Sequence, residues 1–150
     1  MYLKLVIIGY IKNMSSYLTI YLVPKGDESK PISLISYSRN NEVYQYFNDT
    51  INPVFIGMDE NVTNYTELTE AKIKEVISEL KSDIDKAKRR VAEYEKHAAG
   101  KTEIIEDILS QKEWIDDLQL ALSRTEFIEE LVYEASHKFG DYTKVLCNID

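Results

Sequence analysis

The sequence predicts an α+β protein: a small antiparallel β-sheet with a short helix, joined to a long, coiled-coil-like antiparallel helical hairpin. Three observations carry that expectation. Residues 17–23 alternate as a strand does, with Leu18, Ile20 and Leu22 on one face and Tyr17, Thr19 and Tyr21 on the other. Ile73, Ile77, Leu80, Ile84, Ala87, Val91, Tyr94 and Ala98 recur at alternating steps of four and three, one apolar stripe down a long helix. Gly100 interrupts, and a second helical pattern starts at Thr102. A connection that short forces the two helices to run antiparallel.

Around the first strand, residues 2–11 read as a further strand, apolar on both faces. Pro24 and Pro31 bracket a polar turn, and residues 32–37 form the return strand. Pairing Val23 with Ile32 places Ile35 and Tyr37 on the face of Leu18, Ile20 and Leu22. Asn40 or Asn41 caps a short helix starting at Glu42, which Asn52-Pro53 ends because the residue before proline avoids helical geometry. Residues 54–56 read as a short strand and residues 57–67 as a loop. The expected division is residues 1–66 as a β-rich subdomain, 67–140 as the hairpin, and 141–150 as a tail or short strand packing back.

The hairpin has its own punctuation. Thr69 is placed to cap the first helix, with Leu68 and Ile73 as a hydrophobic staple and Glu70 at the positive end of the dipole. Gly100 is placed to close the first helix and Thr102 to cap the second. In the second helix Ile104, Ile108, Ile115, Leu118 and Leu122 keep the beat, but Gln111 and Thr125 fall on core positions. The stripe resumes as Ile128, Val132, Ala135 and Phe139, so a phase shift, break or bend is expected near residues 121–125. Leu109, Trp114, Leu120 and Phe127 lie off the seam, which leaves this helix apolar on more than one side.

Composition excludes several classes. With 44% hydrophobic residues and abundant aromatic and β-branched side chains, the 150-residue chain has the material for a core and is not of the disordered class. One cysteine, Cys147, rules out an internal disulfide and a Cys-rich zinc site, and in its apolar context it reads as buried. The apolar run at residues 5–11 follows a lysine as in a signal peptide. No small-residue cleavage site follows, and it falls short of the roughly 20 residues a span needs. The expected location is therefore the cytoplasm, or a virion if the chain is phage-encoded. The Asn-x-Thr triplets at Asn48, Asn61 and Asn64 matter only to a secreted chain.

The net charge of −8 is uneven. Residues 69–98 hold eight Lys/Arg against seven Asp/Glu and are nearly neutral. Residues 102–136 hold two bases against ten acids, which alone gives −8. Such a face repels nucleic acid and suits either plain solvation or a basic protein. The single basic cluster, Lys86, Lys88, Arg89 and Arg90, is expected to pair across the hairpin with Glu106, Asp107 or Glu113.

No phosphate-binding glycine motif, His-Glu-x-x-His or Gly-x-Ser-x-Gly is present. His97 and His137 lie near helix ends, where they suit the dipole. Glu134 and His137 have the Glu-x-x-His spacing of di-iron bundles, but such a site needs a second copy and two more glutamates, so no metal is expected. The clustered Asp116, Asp117, Glu126, Glu129 and Glu130 lack a shaping glycine loop and read as surface charge rather than a cation site.

The expectation is a non-enzymatic interaction or assembly protein without cofactor, binding another protein or itself, and neither nucleic acid nor membrane. The interaction residues are expected to be Tyr17 and Tyr21 on the tyrosine-rich strand face and Trp114, Asp116, Asp117, Leu120, Phe127 and Glu130 on the second long helix. Richness in Ile, Lys, Asn and Tyr is that of an AT-rich genome, and a phage structural or accessory component fits it. The alternatives are an acidic inhibitor that mimics nucleic acid towards a nucleic-acid-binding protein, and, third, a metal-dependent enzyme.

Overall fold

The computed structural model describes residues 17–24, 31–51, 65–138 and 142–149. The expected strands at 2–11 and 54–56, and Phe139, lie outside those residues. The chain builds β1 (Tyr17–Pro24), β2 (Ile32–Ser38), α1 (Glu42–Ile51), β3 (Tyr65–Glu67), α2 (Glu70–Lys96), α3 (Thr102–His137) and β4 (Tyr142–Ile149). The strands form one antiparallel sheet in the order β2-β1-β4-β3, and α2 and α3 form the hairpin, so the class is α+β as expected.

The β1–β2 register follows the expected pairing at one end only. Leu18 faces Tyr37 and Ile20 faces Ile35, but a bulge between Ile20 and Tyr21 moves Ile32 from Val23 onto Leu22. A bulge bends and twists the strand beyond it. Val23 is fully buried, whereas Leu22 is only half-buried against the core. Asn41 caps α1, its Oδ1 accepting the Val43 amide at 3.0 Å. Tyr46 of α1 donates to Asp83 of α2 at 2.5 Å and ties the short helix to the hairpin.

One sequence expectation fails at the sheet: residues 65–67, expected in a loop, form β3. Of the two alternatives for the C-terminal segment, tail or short strand packing back, the structure has the strand, eight residues long. β4 lies inside the sheet, with Leu18 to Val23 of β1 on one side and Tyr65 to Glu67 of β3 on the other. Val145, Cys147 and Ile149 alternate inward and are buried beside Leu18, Ile20 and Phe47. Burial pushes the Cys147 thiol up to about 12, against a smaller pull from Lys72. Such a thiol stays protonated and inert.

The hairpin seam is as expected from Ile73 to Val91, all six positions being buried together with Val76. Thr69 caps α2 by accepting the Lys72 amide at 3.2 Å. The helix ends at Lys96, four residues before Gly100. His97 is its C-cap, and Lys101 closes a tight turn onto the Ala98 carbonyl at 3.1 Å. Gly100 takes φ +76° within that turn, the left-handed conformation a side chain resists. Ala98 therefore belongs to the turn, and Tyr94, beyond the last buried position, is exposed. Thr102 is the first helical residue of α3 rather than its cap; Lys101 holds the cap position without a side-chain bond.

α3 runs unbroken for 36 residues, about 54 Å at 1.5 Å per residue. The phase shift takes the place of a break. Its buried residues are Ile108, Ile115, Leu118, Ala121, Thr125, Ile128, Val132 and Ala135, so two successive steps of three occur at Leu118 and Ala121. An inserted step of three overwinds the local packing. It moves Ala121 into the seam and leaves Leu122 at its margin. Thr125 is fully buried, its hydroxyl donating to the Ala121 carbonyl at 2.7 Å. That bond lies within the helix, so Thr125→Val strands no partner. The variant should melt roughly 2–4 °C higher, about 1 kcal/mol for a chain of this size. A fall of that size in calorimetry would show that the hydrogen bond outweighs the cost of burying the hydroxyl.

The hairpin alignment is marked at both ends by Lys112–Glu95 at 3.5 Å and His137–Glu70 at 3.7 Å. Among the described residues, Lys86, Lys88, Arg89 and Arg90 form no ion pair with Glu106, Asp107 or Glu113, contrary to expectation; the alignment fixed by the two end pairs sets those acids nearer the turn. All four basic side chains are exposed.

Candidate interaction surface

Nine large hydrophobic side chains are exposed among the described residues, and five of them lie on α3: Ile105, Leu109, Leu120, Phe127 and Tyr133. Scattered exposure is ordinary on any protein. Here it is concentrated on the helix that also carries the acidic excess. α3 buries one face against α2, α1 and β4, and its remaining surface carries apolar side chains that those neighbours leave exposed.

The eight expected interaction residues do not form one site. Phe127 and Glu130 come together in a groove of about 800 Å³ between α2 and α3, lined also by Glu70, Lys74, Glu126, Glu129 and Tyr133. Asp117 and Leu120 border a smaller hollow with Asn40, Asn41, Glu42 and Arg124. Trp114 is elsewhere. It is half-buried, packs against both the main core and the distal cluster of Ala87, Val91, Ile108 and Ile115, and faces a hollow with Tyr46, Glu79 and Asp83. Asp116 is exposed. Tyr17 is exposed and Tyr21 half-buried on the sheet face opposite Leu18 and Ile20. Their neighbour Thr19 hydrogen-bonds Ser36 across the strands at 3.0 Å.

Sequence reasoning missed the α2 side of the groove, Glu70 and Lys74. Tyr133, off the seam as Phe127 is, carried a usable signal. The α2 residues could be placed only by the hairpin alignment that sets Glu70 beside His137.

Electrostatics differ around the hollows. Burial raises the Tyr46 phenol well above its usual value, and the bond to Asp83 adds to it. Tyr37 is raised by burial and drawn back by Arg124, whose guanidinium lies 5.7 Å from the ring centre. Glu42 is raised by burial and then by the Asp117 charge. A carboxyl raised in the folded state binds more protons than the unfolded chain, so its contribution to stability falls as pH rises from the ordinary carboxylate range. Asp117→Asn should therefore lower the Glu42 titration while leaving it above the ordinary value, because burial is the larger cause. An NMR titration that left Glu42 unmoved would show that the two carboxylates do not interact.

Glu134 and His137 engage different partners: Lys138 at 3.4 Å, and Glu70 at 3.7 Å with the Tyr133 ring at 4.4 Å between centroids. Among the described residues no three His, Cys, Asp or Glu side chains are grouped to hold a metal ion, and no helix is long and apolar enough to cross a membrane. No family model matches the chain, and no curated protein or solved structure is similar to it.

Proposed function

We propose that this chain is a non-enzymatic protein–protein interaction or assembly module that docks a partner protein on the outward surface of α3. The observation that carries the reading is the coincidence of exposed Leu109, Leu120, Phe127 and Tyr133 with the acidic excess on one helix. Apolar side chains rimmed by charge are the composition of a docking surface. A phage structural or accessory component, in the cytoplasm or a virion, remains the setting that the residue bias suggests. The second reading is the acidic inhibitor, favoured by ten carboxylates over residues 102–136. A phosphate mimic has no use for interspersed leucine and phenylalanine, so it ranks below the first.

The test is affinity capture from source cells with the full chain and with a Leu120→Ser, Phe127→Ser double variant. A partner retained by the first and lost by the second is the expected result. Equal capture by both would remove α3's outward surface from the reading. Capture that persists in the double variant but disappears at high salt would favour the mimic.

A further inference from the structure

We infer that the groove between α2 and the C-terminal half of α3 receives a basic amphipathic helix of a partner protein, its apolar side chains on Phe127 and Tyr133 and its lysines or arginines on the surrounding glutamates. This inference rests on the interaction reading and names the partner's chemistry. The groove extends from Ser123 to Tyr133, eleven residues and about 15 Å of helix. That is about three turns, enough for anchors at i, i+3 or i+4, and i+7 of a docked helix. Phe127 and Tyr133 are each about half exposed, at 51% and 49%, so both have area left to bury. Around them stand Glu70, Glu126, Glu129 and Glu130, with Lys74 the single base lining the groove.

Charge decides between possible occupants. A second copy presenting its own α3 would set carboxylates against carboxylates, since that helix has only Lys112 and Arg124 as bases. A second copy presenting α2 offers the exposed cluster Lys86, Lys88, Arg89 and Arg90, but Tyr94 is the one large hydrophobic exposed on that helix. Neither supplies a row of basic and a row of apolar side chains together: the first lacks the bases, and the second has Tyr94 as a lone apolar anchor beside Lys86 and Arg90. A basic amphipathic helix supplies both. An acidic or purely polar segment would leave the glutamates opposed or the aromatic rings wet.

The probe is a synthetic 18-residue helix of leucine and lysine with leucines at helical spacing, titrated into the full-length protein by calorimetry. Binding should weaken roughly tenfold in Phe127→Ala, as for a central aromatic anchor. It should also weaken roughly tenfold in a Glu126→Gln, Glu129→Gln, Glu130→Gln variant and on raising the salt. A triple change at the far end of α3, Glu103→Gln, Glu106→Gln and Asp107→Asn, should leave the affinity within about threefold, because screening confines surface charges to about 10 Å. A peptide with glutamate in place of lysine should not bind.

Absence of binding, or equal binding to the Phe127 and far-end variants, overturns the groove assignment. So does light scattering that shows the protein as a dimer dissolved by Phe127→Ala, which would make a second copy the occupant. If the captured cellular partner still depends on Leu120 and Phe127 while the leucine–lysine helix fails to bind, the interaction reading survives and only the basic-helix assignment falls.

Discussion

A chain cut after residue 140 should fail to fold cooperatively. The cut removes β4, which pairs with β1 along its length and with all of β3. It also takes Val145, Cys147 and Ile149 from the core and uncovers Leu18 and Ile20, which are fully buried. Burying three such side chains is worth about 1.5–3 kcal/mol each before any cavity term. Total stability for a domain is about 5–15 kcal/mol, so the loss approaches the whole. Circular dichroism should show helix retained in part, from the hairpin, with no sharp melting transition, and hydrogen exchange should show none of the native amide protection in β1. A truncated chain that melts sharply near the full-length temperature would mean that β4 is an accessory strand and that β1 is stable beside β2 alone.

Ile84→Asp should destabilise the protein by at least about 4 kcal/mol. Ile84 is 5% exposed, midway along the α2 seam. The substitution both removes a large aliphatic side chain and places a carboxylate among apolar neighbours. Ile105→Asp is the matched control, because Ile105 is 47% exposed on α3 and should shift stability by no more than about 0.5 kcal/mol. Urea melts of the two variants separate the cases. Equal midpoints for Ile84→Asp and wild type would mean that the seam is not packed as described.

The hairpin was readable because a period of 3.5 residues persists over many turns and only one geometry satisfies it. Its second half was harder. Gln111 and Thr125 at core positions left a phase shift, a break or a bend open near residues 121–125; a hydroxyl can return its hydrogen bond to its own helix, so α3 takes the phase shift without interruption. The β1–β2 pairing was legible as far as Ile20 and Ile35 and lost beyond the bulge, since an extra residue leaves no mark on alternation. β3 was not legible at all. Three residues, Tyr65, Thr66 and Glu67, hold no period, and their strand geometry follows from the partner strand beside them. β4 does alternate, with Val145, Cys147 and Ile149 inward and Lys144, Leu146 and Asn148 half-buried. Its place inside the sheet depends on contacts far along the chain, which local pattern does not encode.

The candidate surface divides in the same way. Phe127 and Glu130 are three residues apart on one helix, so spacing alone put them together. Trp114 shared their off-seam position, yet the sequence offers no means of telling which flank α1 covers. Tyr46, hydrogen-bonded to Asp83, brings α1 to the Trp114 side, and that contact removes the tryptophan from the exposed set.

The interior position of β4 also sets an order in time. The pairs β1–β2 and α2–α3 each close through a short connection, so they can form as soon as their residues have been synthesised. β1–β4 closure brings Leu18 to Ile149 across nearly the whole chain and must wait for residues 142–149. Until then β1 carries one open edge, available to any strand that reaches it. In a refolding reaction with pulsed amide labelling, α2 and α3 should gain protection first and β4 last. The slow step expected of this protein is therefore the insertion of one strand between two others.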